Sequence, residues 1–264
     1  MKFSTPVNIT PSPWQIGYED RILLLGSCFV DALARKMDEY YFRVVSNPTG
    51  TLYNPVSIAR HIALLDEAEV AIVTFGTAWV YVDNGTGEVV DNCQKRPASD
   101  FTRRRMTVEE IVALWQPILE RYQDKRILFT VSPIRHVKDG LHENQLSKAT
   151  LLMAIEKLVS IQGSGVGTAY FPSYEILLDE LRDYRFYADD LVHPSTMAVN
   201  YIWERFSETF YSAATQDEMR ALHQLWLDRH HTLLHPDSPE AKAFLEHLKQ
   251  RINSLQKRYS WLQK

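Results

Sequence analysis

The feature that most constrains this chain is a repeated alternation of short apolar runs with helical repeats. The runs span Ile22 to Leu25, Arg43 to Val45, Ala71 to Phe75 and Ile127 to Val131, with a weaker one at Thr168 to Phe171, each bounded by turn residues. Unbroken runs of this length read as parallel strands covered on both faces. Between them, apolar residues recur at helical spacing over Phe29 to Tyr40 (Phe29, Leu33, Met37), Pro55 to Leu65, Thr107 to Tyr122 and Ser147 to Ile161. A helix from Met197 to Phe210 closes the unit. Thr107 and Glu110 form a capping box ahead of an apolar run, which marks where the third helix starts. The order predicts an open parallel sheet with helices on both faces and short right-handed crossovers.

Such sheets bind ligands outside the carboxyl ends of their strands, so the residues after each run matter most. The first run ends in Gly26-Ser27-Cys28, two adjacent nucleophiles at the start of a helix. The next ends are Asn47-Pro48-Thr49-Gly50, Gly76-Thr77 and Ser132-Pro133-Ile134-Arg135-His136, and the last segment runs through Ala188 to Ser195. Asp190 and His193, three apart before a helix, can set a carboxylate on one imidazole nitrogen and turn the ring toward the first strand's end. A nucleophile, a base and a group that orients the base are what acyl transfer needs. A lone Asp-x-x-His is more often structural; its weight here comes from convergence on one sheet edge.

Length and composition fit this plan. The chain has 264 residues, 45% hydrophobic and 23% charged, enough for one large core. We divide it into residues 1–212, the α/β domain, and 213–264, a C-terminal helical extension. The extension carries Phe244, Leu245, Leu248, Ile252 and Leu255 on one face, fit for packing on the domain or for a homodimer. A net charge of −4 offers no field for nucleic acid or an anionic membrane, and Arg103-Arg104-Arg105 reads as a solvated loop before the capped helix. No secretory signal and no membrane-spanning run is seen, so a cytoplasmic location is expected. Cys28 and Cys93 cannot build a disulfide framework and read as reduced thiols; a redox role would require the two sulfurs within bridging distance. His230, His231 and His235 lack partners at ligand spacing, and no P-loop, G-x-G-x-x-G or H-E-x-x-H occurs, so no metal and no cofactor is expected.

GSCF at this position is followed in order by NPTGTLYNP, TFGTAWVY, DNCQK, TVSPIRHVKDG, SKATLL, YFPSYEILLDELRDYRFYADDLVHPS and YIWERF. From about Trp14 to Phe210 the chain resembles the bacterial GSCFA-domain family, which is grouped with the SGNH (GDSL-like) hydrolases. The resemblance implies a three-layer α/β/α flavodoxin-like fold with a central parallel sheet. It also implies an esterase or acyl-hydrolase site, acting on a small-molecule or carbohydrate ester such as the acetyl ester of a polar alcohol.

The group's first block ends in Gly-Asp-Ser. Alignment on Gly26 without a gap puts Cys28 at the nucleophile position and Ser27 at that of the Asp; a shift of one residue makes Ser27 the nucleophile, and in a third reading both only shape the turn. A thiolate at a helix N-terminus beside a His is stabilised, with a pKa that can fall to about 3.5 to 7.5. The second block's oxyanion glycine matches Gly50. The third block, Gly-x-Asn, reads Gly76-Thr77-Ala78, so the side-chain amide donor is missing, a loss that typically costs about a hundredfold to a thousandfold in kcat. Asn92 is the first candidate replacement, with Asn47 and Asn54 behind it, and Gln94 stands where the family usually has His. The last block assigns His193 as general base and Asp190 as its orienting partner, with Asp189 one residue out of register. Arg135 and His136 are candidates for substrate contacts. The segment Ala63 to Val70 is shorter than the family's insertion there, implying a reduced lid or substrate wall. These departures leave a catalytically inactive glycan- or protein-binding module as the alternative function.

Overall fold

The computed structural model describes residues 4–91, 96–161 and 167–263; Asn92 and Cys93 lie outside them. In chain order the elements begin with β1 (Arg21–Gly26), α1 (Phe29–Glu39), β2 (Arg43–Ser46), α2 (Pro55–Arg60) and β3 (Val70–Phe75). A small sheet follows, β4 (Trp79–Asp83), β5 (Val89–Val90) and β6 (Phe101–Arg105), and then α3 (Val108–Arg121) and β7 (Arg126–Val131). Next come α4 (Leu141–Ile161), β8 (Thr168–Phe171), a short α5 (Ser173–Glu175) widening into a π turn over Ile176–Leu181, and α6 (Thr196–Phe210). The chain finishes with α7 (Ala213–Arg229) and α8 (Pro239–Arg258).

The five long strands are all parallel, in the order β2-β1-β3-β7-β8. This is the flavodoxin-like order, counting only these strands. Alternate residues of β1 feed two cores: Ile22 and Leu24 join Phe29, Met37 and Phe206 on one face, while Leu23 and Leu25 join Trp115 and Leu151 on the other. Both faces are covered, which is why the strands read as unbroken apolar runs. The architecture is the expected three-layer α/β/α sandwich. β1 lies between β2 and β3, where the strand order reverses, so its carboxyl end opens into the crevice that this topology reserves for ligands.

The structure departs from the sequence expectations in three places. Helix α4 begins at Leu141, ahead of Ser147. The Pro55 to Leu65 pattern is split: α2 stops at Arg60, the His61 N–H bonds back to the Ile58 carbonyl, and a 3₁₀ turn runs Ile62–Glu67. The Arg103 to Arg105 run is part of a strand. β6 pairs antiparallel with β4, and the Arg103 guanidinium lies 3.9 Å over the Trp79 ring and 2.6 Å from Asp139. A charged strand at a sheet edge suits solvent and discourages further pairing.

At the C-terminus, Met219 and Leu222 of α7 enter the β1/α1 core, as does Tyr259, whose ring centroid lies 5.5 Å from that of Tyr18. The Trp261 indole N–H donates to the Tyr41 carbonyl at 3.2 Å. No described helix is long and apolar enough to cross a membrane.

Candidate active site

Gly26 ends β1 at φ +139°, where a Cβ would overlap the Thr74 carbonyl of β3, so glycine is required there. The chain then turns into α1, and the turn separates the two nucleophiles. Ser27 is 1% exposed and faces inward, its Oγ accepting only a long 3.4 Å bond from the Phe29 N–H. Cys28 is half-buried at the mouth of α1, with its Sγ 3.5 Å from His193 Nε2. His193 Nδ1 is in turn 2.6 Å from Asp190 Oδ2.

The loop that carries this dyad is tightly built. Asp190 Oδ1 accepts from the N–H groups of Val192 (2.9 Å) and His193 (3.0 Å). These bonds, with that from the His193 ring, hold the Asp190 carboxyl down at about 2. Leu191 sits at φ +57°, and Ala188 N–H closes the turn on the His193 carbonyl at 2.8 Å. Arg135, expected to meet substrate, grips this loop instead. Its Nε donates to the Leu191 carbonyl at 3.0 Å, its Nη2 reaches the same oxygen, and its guanidinium lies 4.4 Å from the Tyr187 ring centroid and 5.4 Å from that of Tyr184.

Among the described residues, the expected oxyanion donors Gly50, Asn47 and Asn54 have hydrogen-bond partners within the fold. Gly50 has φ +100°, and its N–H donates to the Asn47 carbonyl at 2.8 Å within the loop after β2. Asn47, itself at φ +40°, accepts from the Gly26 N–H at 2.9 Å and donates to Asp31 at 3.2 Å, tying the β2 end to the nucleophile turn. Asn54 caps α2, its Oδ1 accepting from Val56 (3.1 Å) and Ser57 (2.9 Å). Asn92 lies outside the described residues, and so does Cys93, the second member of the redox pair.

His136 is brought close to the site. Its Nε2 is buried without a hydrogen-bond partner, 3.5 Å from where a Cβ on Gly76 would stand, and its ring meets Tyr53 edge-on at 6.1 Å. Burial, helped by Lys148 and His193 and opposed by the Gly76 backbone, pushes the imidazole down to about 4, so it is neutral at pH 7. Lys148 was not singled out from the sequence. It is fully buried, its Nζ donating at 2.7 Å to each of the Gly76 and Ser132 carbonyls at the ends of β3 and β7. The signal was present in SKATLL: a lysine on the helix face whose next turns are the buried Leu151, Ala154 and Ile155.

The thiol itself corrects an expectation. Its position at the start of α1 does not produce a resting thiolate: burial pushes the Cys28 thiol up and the Asp31 and Asp190 carboxylates add to that, against its own N–H and Lys148. The site opens into a groove of about 240 Å³ lined by Cys28, His193, Phe29, Ala32 and Ile134, which reaches Arg35 two turns along α1. A larger cavity, about 580 Å³, runs past Arg21, Arg43 and Trp261 on the β2 side and holds no nucleophile. Among the described residues no group of His, Cys, Asp and Glu is arranged to hold a metal ion, and His230 is stacked on Trp226 at 4.1 Å.

Fold and site together define a flavodoxin-like α/β/α protein with a thiol, an imidazole and a carboxylate in sequence at the switch point of its sheet. The chain matches the GSCFA family over residues 21–65 and 61–206 and belongs to that family. No curated protein matches it. Among solved structures, it is similar to a mutant of Axe2, an acetyl-xylooligosaccharide esterase from Geobacillus stearothermophilus, at 10% identity and a TM-score of 0.48, covering 74% of this chain and 95% of that one. A GDSL-like lipase from Bacteroides thetaiotaomicron is similar at 10% identity and a TM-score of 0.43, covering 76% of this chain and 88% of that one.

Proposed function

We propose that the protein is a thiol-dependent acyl hydrolase or acyltransferase of the SGNH type, acting on a small acyl ester of a carbohydrate or similar polar alcohol. The observation that carries this reading is the unbroken line from Cys28 Sγ through His193 to Asp190, with Ser27 buried and its Oγ on the Phe29 N–H. Because the resting thiol is neutral, His193 Nε2 removes its proton as sulfur attacks the ester carbonyl, and the new S–C bond forms in that step. Asp190 holds the imidazole with Nδ1 protonated, leaving Nε2 free to accept, and stabilises the imidazolium. The Cys28 N–H, at the N-terminal end of α1, serves as a donor to the developing oxyanion. Collapse breaks the ester C–O bond, and His193 returns the proton to the leaving alkoxide. Water, or an acceptor alcohol, then attacks the thioester with His193 again as base; the S–C bond breaks, and the sulfur regains its proton from His193. The groove is below the roughly 300 Å³ at which drug-sized pockets begin, which favours a short acyl group such as acetyl. A cytoplasmic, reducing setting keeps Cys28 as a thiol.

The test is hydrolysis of p-nitrophenyl acetate by wild type, Ser27→Ala, Cys28→Ala and His193→Ala. Activity is expected to fall to background in the last two and to stay within a few-fold of wild type in Ser27→Ala. Hydrolysis that survives Cys28→Ala but not Ser27→Ala would reverse the assignment. Absence of turnover in the wild type on this ester and on acetylated sugars would favour the binding module, for which the committed Gly50 N–H and the missing Asn after β3 already argue.

A further inference from the structure

Lysine is almost never fully buried unless paired, yet among the described residues no carboxylate pairs with Lys148. Its two hydrogen bonds join the ends of β3 and β7, a task that a neutral donor performs without burying charge. Ser147, beside it, ties α4 to the chain after β3 with an uncharged hydroxyl, accepting from the Ala78 N–H at 2.8 Å and lying 3.0 Å from the Thr77 hydroxyl. The charge therefore calls for its own explanation, and its position supplies one. The Gly76 backbone that holds Nζ lies against the nucleophile turn: a Cβ on Gly76 would stand 3.3 Å from Ser27 Cβ.

Before His193 is protonated, the fixed charges nearest the sulfur besides its own N–H, Asp31 and Asp190, are unfavourable to an anion. Cys28 faces Asp31 from α1, Asp190 and His193 from the dyad loop, and Tyr53 from the loop before α2. Lys148 is held on the Gly76 carbonyl beside the Ser27–Cys28 turn, with the Tyr174 ring 5.5 Å from its Nζ, and its charge bears on Cys28 and on the neutral His136. We propose that Lys148 is a positioning residue whose buried ammonium stabilises the anion that forms on the Cys28 sulfur as His193 takes its proton. The inference rests on Cys28 being the nucleophile. Burial pulls Lys148 down to about 7, so the countercharge is in place on the acid side and is lost above it. A structural cross-link would show no such pH boundary.

The experiment is the rate of Cys28 alkylation by iodoacetamide against pH, read by mass spectrometry of the Cys28 peptide in full-length protein. Wild type is compared with Lys148→Gln, which can keep the carbonyl hydrogen bonds, and Lys148→Met, which keeps the packing. Loss of the countercharge is expected to slow alkylation about tenfold below about pH 7, equivalent to about one unit in the thiol's ionisation, and to leave it unchanged above about pH 9. A rate that is unchanged, or lowered uniformly at all pH, in a variant with wild-type circular dichroism would overturn the proposal. Lys148→Arg, which retains charge, is expected to keep the acid-side rate and carry it above pH 7; failure to do so in the folded variant counts against the proposal equally. Ester hydrolysis by Cys28→Ala tests the nucleophile separately, so either reading can fail alone.

Discussion

Asp190 shows how much of the site's chemistry is set by single atoms. One carboxylate oxygen takes two backbone N–H bonds and the other meets His193 Nδ1. With its folded pKa depressed, this group's contribution to stability is present above the ordinary carboxylate value and is lost as pH falls toward about 2, so it is ionised at neutral pH. Asp190→Asn can keep the backbone bonds through its amide oxygen but turns an N–H toward the imidazole. His193 must then accept at Nδ1 and carry its proton on Nε2, facing the thiol with a donor. The variant is expected to fold normally and lose about 10² to 10⁴ in kcat with KM within a few-fold, measured by steady-state kinetics. A loss expressed wholly in KM would assign Asp190 to substrate binding instead.

At the scale of elements, Arg135 couples the end of β7 to the dyad loop through the Leu191 carbonyl and the rings of Tyr184 and Tyr187. Arg135→Ala removes that clamp while the Arg135 N–H bond to the Val192 carbonyl, 3.2 Å, can remain. We expect about a tenfold fall in kcat and faster amide hydrogen exchange over residues 188–195. Lysine is not expected to rescue it, because it lacks the planar fork and stacks poorly. Unchanged exchange in that loop would contradict the clamp. The same scale shows what the sequence can disclose. The parallel strands were legible because burial on both faces leaves a plain apolar run, and the Asp190 to His193 pair because it falls at a strand-order crevice. The small β5-β4-β6 sheet was not: β5 is two residues long and β6 is mostly arginine, whose packing on Trp79 makes a strand out of residues that resemble solvated loop. Ser27 and Cys28 were indistinguishable because their difference is one of direction at a turn, fixed by Gly26 against Thr74. Arg135 and Asn47 pointed to the right end of the sheet, but their partners are backbone groups that no side-chain pattern encodes.

For the whole molecule, two buried basic groups near the site, His136 and Lys148, oppose folding when protonated. His136 falls from 6.5 to about 4, and Lys148 from 10.5 to about 7. In both cases the unfolded chain binds more protons over the interval, so stability rises with pH, across about 4 to 6.5 for His136 and about 7 to 10.5 for Lys148. At 1.36 kcal/mol per unit the burdens are about 3 kcal/mol for His136 below about pH 4 and about 5 kcal/mol for Lys148 below about pH 7, against a typical total of about 5 to 15 kcal/mol. His136 offers the cleaner test because its Nε2 makes no well-formed hydrogen bond among the described residues, whereas Lys148 makes two. His136→Phe is expected to unfold at higher urea than wild type at pH 4 to 5, and the two stabilities should converge as pH rises past about 6.5. If the difference between the two proteins were instead independent of pH, the imidazole would not be the group that stays unprotonated in the fold. The acid-side slope would then have to come from another group of the crevice.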